Sequence, residues 1–179
     1  MRTKLILFIF LFFTLTLFSQ NNTTVMSKNT IKSNYSMKSI KAYQESAVFK
    51  IKDYYNYLEV YSSSKSSDSL KTQVKTAIHN LFENKNMEVV DITTFEKYCI
   101  KIDKLLEKVS HKDYKFKLTN IENSIVAQDF WTTRYYLQVI EDDEQCNIEV
   151  FSKVIFKPIQ KKFGPKTKEV WSLFLGEME

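Results

Sequence analysis

The sequence predicts an α+β domain: N-terminal helices packed on one face of a curved, cone-like antiparallel sheet, roughly three helices followed by a four-strand meander. Three observations predict it. Between Ser39 and Val109 the apolar residues recur at steps of three and four, one face of an α-helix. From Tyr114 onward the period switches to two, as in half-buried strands. The links between those strands are short, so neighbours pair antiparallel.

The elements follow in order. Arg2 and Lys4 precede an apolar run, Leu5 to Phe18, relieved only by Thr14 and Thr16. The run is short for a membrane span and is followed by Ser, Gln and Asn, so residues 1–19 read as a signal peptide cut after Ser19. The expectation is an exported protein, periplasmic or extracellular, with no transmembrane span after cleavage. Residues 20–38 are polar without a sustained period and read as a flexible leader. Residues 39–179 then form a single domain, of a size that buries a core without staples.

Tyr43, Ala47, Val48, Ile51, Tyr54, Tyr55, Leu58 and Tyr61 mark a first helix of about 20 residues. SSSKSSDS at 62–69 interrupts it, with Asp68 and Ser69 as capping types for a second helix through Leu70, Val74, Ala77, Ile78, Leu81 and Phe82. MEVVDI, 87–92, is strand-like. Thr93 or Thr94 caps a third helix whose stripe is Phe95, Tyr98, Cys99, Ile102, Leu105, Leu106 and Val109. YKFKLT (114–119), a long strand around 125–140, the acidic turn EDDE (141–144) and a second long strand at 146–157 come next. A loop with Pro158, Gly164 and Pro165 leads to a last strand, 169–175, ended by Gly176.

In the long strands one parity is the cleaner: Trp131, Thr133, Tyr135, Leu137 and Val139, then Ile148, Val150, Ser152, Val154 and Phe156. These should face the helices, with Trp171 from the last strand. The opposite parity keeps Phe130, Tyr136, Phe151, Ile155 and Phe174 among charges. Aromatic residues on an otherwise polar sheet face fit a homodimer contact; scattered surface apolar residues are also ordinary.

Charge excludes some functions. Of the 26 basic residues, loss of Arg2 and Lys4 leaves 24 against 21 acids, a mature net charge of +3, too mild for a nucleic-acid partner. Two glycines leave no phosphate-cradling loop. Cys99 and Cys146 either form one disulfide or stay reduced; with only His79 and His111 besides, no zinc spacing exists, and neither a metal nor a cofactor is expected. KPIQKKFGPKTK (157–168) could touch anionic headgroups or glycans, or simply keep a sheet edge soluble.

IKDYYNYLE (51–59), the 95–109 helix and VWSLFLGEM (170–178) as a final Trp-containing strand resemble the nuclear transport factor 2-like (SnoaL-like) superfamily. The resemblance spans most of residues 40–179 and implies a cone with a blind pocket. Its members include isomerases, dehydratases and non-catalytic binding modules, and its enzymes put an Asp, His or Tyr into the cone as acid or base. Here the pocket would be lined by Trp131, Thr133, Tyr135, Ser152 and Trp171. Tyr135 is the one good proton donor or acceptor of that inward set, with Asp129 at the strand's start and His79 on the second helix as candidate partners. No carboxylate alternates inward beside Tyr135. The expectation is a module binding a small ligand or protein without catalysis. The alternatives are an isomerase or dehydratase using Tyr135, and a surface-association protein acting through the outer sheet face.

Overall fold

The structure, a computed structural model, describes residues 30–94, 98–110, 112–142 and 144–179. The expected signal peptide and most of the leader lie outside the described residues. The fold is α+β, with helices preceding a four-stranded antiparallel sheet.

Helix α1, Ile31–Asn34, falls in the stretch expected to be leader. Ile31 is 1% exposed, and its amide donates to the Gln128 carbonyl at 2.8 Å, so the packed structure already includes this segment. Helix α2, Met37–Ser62, starts at a Ser36 cap whose side chain accepts from the Ser39 amide. Its buried stripe is Ile40, Ala47, Ile51, Tyr54, Tyr55 and Leu58. Helix α3, Asp68–Leu81, is capped by Ser67, one position before the residues expected. It buries Val74, Ile78 and Leu81.

The third helix is shorter than its stripe predicted. Only Ile102–Val109 is helical, α4. Cys99–Lys101 is instead a strand, β2, paired antiparallel with β1, Glu88–Val90. The competing force is backbone satisfaction. β1 buries Val89 and Val90, and the nearby segment supplies the ladder partners that its amides and carbonyls require. Tyr98, expected on the apolar stripe, is 59% exposed. Phe95 lies outside the described residues.

The main sheet has the order β3-β4-β5-β6. β3 is Tyr114–Asn123, with its register shifted between Thr119 and Glu122 and Asn120 at φ 52°. β4 is Phe130–Glu141, starting later than expected; Ile125 lies in the preceding link and is 85% exposed. β5, Glu144–Phe163, and β6, Lys166–Met178, are both longer than expected. The stretch read as a loop around Pro158 is a hairpin closed by Gly164, at φ 59°, and Pro165. Pro158 fits because β4 leaves β5 at the Phe130–Ile155 pair, so one edge of β5 is free there.

Gly176 does not end β6. The strand bulges between the Ser152–Met178 and Val154–Leu175 pairs, and Glu179 exchanges two hydrogen bonds with Phe151. A Cβ at Gly176 would stand 3.2 Å from Lys153 Cβ and 3.3 Å from Ile155 Cδ1, so glycine lets the bulge close onto β5. Residues Phe82 and Glu83 then lie along β6, the Glu83 amide donating to Leu175 at 3.0 Å.

Candidate functional site

β4 alternates half-buried and buried positions along nearly its whole length. Of the inward set, Trp131 is 1% exposed and Thr133, Tyr135 and Ser152 are 0% exposed. Helix α2 closes over them. The Tyr135 hydroxyl lies 2.9 Å from that of Tyr55 and 3.9 Å from the Met178 sulfur. Burial pushes the Tyr135 phenol well above its ordinary value, so it is neutral at any physiological pH. The Thr133 hydroxyl donates to Asn123 at 2.7 Å. Trp131 Nε1 and Ser152 Oγ are buried without a partner among the described residues. Trp171 stands apart from this row. It is half-buried in an aromatic group at the base of the hairpin, with ring centroids 5.3 Å from Tyr35 and 5.1 Å from Phe156.

The acid–base candidates do not meet there. Asp129 is exposed and lies six positions before Tyr135, roughly 20 Å along an extended strand. Its backbone carbonyl accepts from the Phe156 amide at 2.8 Å. His79 Nε2 sits 3.2 Å from Asp103 on α4, a carboxylate that also pairs with Lys75 at 2.7 Å. General acid–base work needs a group within about 3 Å of the moving proton. Cys99 and Cys146 are both free thiols. Burial raises each above its ordinary value, so neither is a thiolate at neutral pH.

On the outer face, Phe130, Ile155 and Phe174 form one continuous row across three strands. Ile155 is 6% exposed, and Lys153 Nζ lies 4.9 Å above the Phe130 ring. Phe151, 38% exposed, and Tyr136 sit further along, beside a polar fan centred on Arg134. Arg134 donates to Glu149 at 2.7 Å and to the Tyr136 hydroxyl at 3.0 Å, and lies 3.7 Å from Glu122. Glu122, Thr132, Arg134 and Phe151 border a shallow depression of about 330 Å³.

A second polar group escaped the sequence reading. Asp91, 2% exposed, accepts from Lys108 at 2.5 Å and from the Thr93 hydroxyl at 2.6 Å. Burial alone would raise this carboxyl, but the Lys108 and Thr93 hydrogen bonds outweigh it and hold it below its ordinary value. Beside it, Lys112 pairs with Glu141, and burial together with the Glu141 hydrogen bond raises the Tyr114 phenol. Lys112, Tyr114 and Glu141 line a small cleft of about 150 Å³ together with Thr94, Glu144 and Cys146. Asp91 and Glu141 are each matched to a lysine. The only signal in the sequence was Asp91 closing an apolar strand, and its partner stands seventeen positions on.

A groove of about 700 Å³ lies between the α2–α3 turn and the Tyr114 end of β3, with Glu59, Lys65, Asp113 and Lys115 on its walls. Glu59 accepts from the Phe116 amide at 2.7 Å and Asp113 from the Ser64 amide at 2.6 Å. No cluster of His, Cys, Asp and Glu suited to a metal occurs among the described residues, and no described helix is long and apolar enough to cross a membrane. No protein-family model matches the chain, and no curated protein matches it.

Proposed function

We propose that this chain is an exported binding module without catalysis, built on a cone of the nuclear transport factor 2-like kind, that recognises a protein across the outer face of its sheet. The first candidate partner is a second copy of itself. One observation carries the reading: Trp131, Thr133, Tyr135 and Ser152, the residues a substrate would have to reach, are at most 1% exposed. The apolar side chains left for recognition lie on the other side of the same strands. The Phe130–Ile155–Phe174 row gives a desolvated centre, and the Arg134–Glu149 pair beside it gives a polar rim of both signs, which suits a self-complementary contact.

Sedimentation equilibrium tests this. A dimer is expected at tens of micromolar, roughly the ordinary range for such contacts. The Phe130→Ser, Phe174→Ser double variant should be monomeric at the same concentration while keeping the circular-dichroism spectrum of the folded chain. A wild-type chain that stays monomeric overturns the self-association reading.

A second reading has its own observation. Trp131 Nε1 and Ser152 Oγ lie in adjacent inward rows, buried and unpartnered, which favours a small polar ligand taken up between the strands. A thermal-shift screen of small polar compounds addresses it, since binding to the native state alone raises the melting temperature.

A further inference from the structure

The β5–β6 hairpin continues past the sheet. β4 leaves at the Phe130–Ile155 pair, but β5 and β6 remain paired to Phe163–Lys166. The result is a two-stranded arm that ends in the tight turn at Gly164 and Pro165. All ten residues from Gln160 to Glu169 are exposed.

Four of those ten are lysines, Lys161, Lys162, Lys166 and Lys168, against one acid, Glu169. None of the four has an ion-pair partner among the described residues. Lys161 and Lys168 stand directly opposite each other, an arrangement that destabilises a ladder unless an outside charge relieves it. By contrast Lys157, nearer the sheet, is matched to Glu83. At the apex Phe163 is 54% exposed, beyond reach of the core.

We propose that this arm docks the protein onto an anionic phospholipid surface. The lysines meet the headgroup phosphates, and the Phe163 ring enters the boundary between headgroups and acyl chains. Charge alone would serve any polyanion. The apolar tip decides for a bilayer, because an aromatic side chain is stabilised at that boundary and gains little against a hydrated polymer.

The test is vesicle co-sedimentation of the full chain. Arg2, Lys4 and the apolar Leu5–Phe18 run are common to every variant, so the readout is how the ratio of partitioning on mixed phosphatidylglycerol–phosphatidylcholine vesicles to that on phosphatidylcholine alone changes between wild type and variant. Each lysine near an anionic surface strengthens binding about fivefold. The ratio should therefore be on the order of 100 or more for the wild-type chain. It should fall about 100-fold or more when Lys161, Lys162, Lys166 and Lys168 are all changed to Gln. Phe163→Ser should weaken binding to the anionic vesicles about tenfold, in line with the loss of one buried aromatic ring, and leave binding to soluble heparin unchanged. Circular-dichroism melts, expected to match wild type for both exposed variants, exclude unfolding as the cause. A ratio that survives the loss of four lysines overturns the proposal. So does Phe163→Ser binding vesicles as well as wild type while heparin binding follows the lysines, which identifies a soluble polyanion as the partner.

Discussion

Tyr135 illustrates how one residue type takes on different work according to its surroundings. A tyrosine turned inward among apolar neighbours is as consistent with an acid in a pocket as with a core side chain. Tyr55 decides between them: its hydroxyl occupies the one hydrogen bond that Tyr135 can make to another side-chain oxygen inside the molecule. Removing the Tyr135 hydroxyl leaves that of Tyr55 buried without its partner, whereas removing both leaves two rings of nearly the same shape. Tyr135→Phe is therefore expected to cost about 1–2 kcal/mol, and the Tyr55→Phe, Tyr135→Phe double variant less than either single change. Urea unfolding of the three variants measures this. Equal, additive losses would mean that the two hydroxyls do not depend on each other. At the same scale Asp91 and Lys108 were illegible. Nothing local marks them as partners, since they meet only because α4 returns its second turn to the end of β1.

At the level of elements, legibility tracked how local the deciding force was. The alternation of β4 could be read directly, because each residue's environment is set by the parity of its own strand. The stripe from Tyr98 to Val109 could not. Its first residues are recruited as an extended partner for β1, a demand that comes from outside the segment. The hairpin arm was hidden by Pro158, Gly164 and Pro165, which read as loop residues. They are compatible with strands only because one edge of β5 is free beyond Ile155 and the turn needs just two residues. Gly176 was seen as a stop and is a point of close contact. Gly176→Ala should cost about 1 kcal/mol or more, since the new methyl group meets the Lys153 backbone carbonyl at 3.3 Å as well as side chains. Gly164→Ala, strained at its positive φ but with open space around it, separates conformational cost from crowding. A Gly176→Ala chain as stable as wild type in denaturant would show that the bulge relaxes freely.

For the whole molecule, the order of helices before strands, the inward parity and the last strand carried most of the fold. The candidate site was far less legible, because exposure depends on how α2 closes over the sheet. One consequence of that closure concerns alkali. The chain has ten tyrosines, and four of them, Tyr54, Tyr55, Tyr114 and Tyr135, are at most 4% exposed. Burial raises the phenol of each above the ordinary value of 10.0. Below pH 10 the folded and unfolded chains hold these protons alike. Above it only the unfolded chain releases them, so stability falls as pH rises, by about 1.4 kcal/mol per pH unit for each phenol. Four together remove about 5 kcal/mol per unit, as much as the entire stability of many domains. Phenolate absorbance should accordingly rise in two stages. The accessible rings ionise gradually, and the last four appear in one abrupt step that coincides with loss of the circular-dichroism signal. A single smooth ionisation of all ten would contradict the closed interior. The rings buried in the core thus also give the protein a sharp upper limit of pH, set by phenol chemistry.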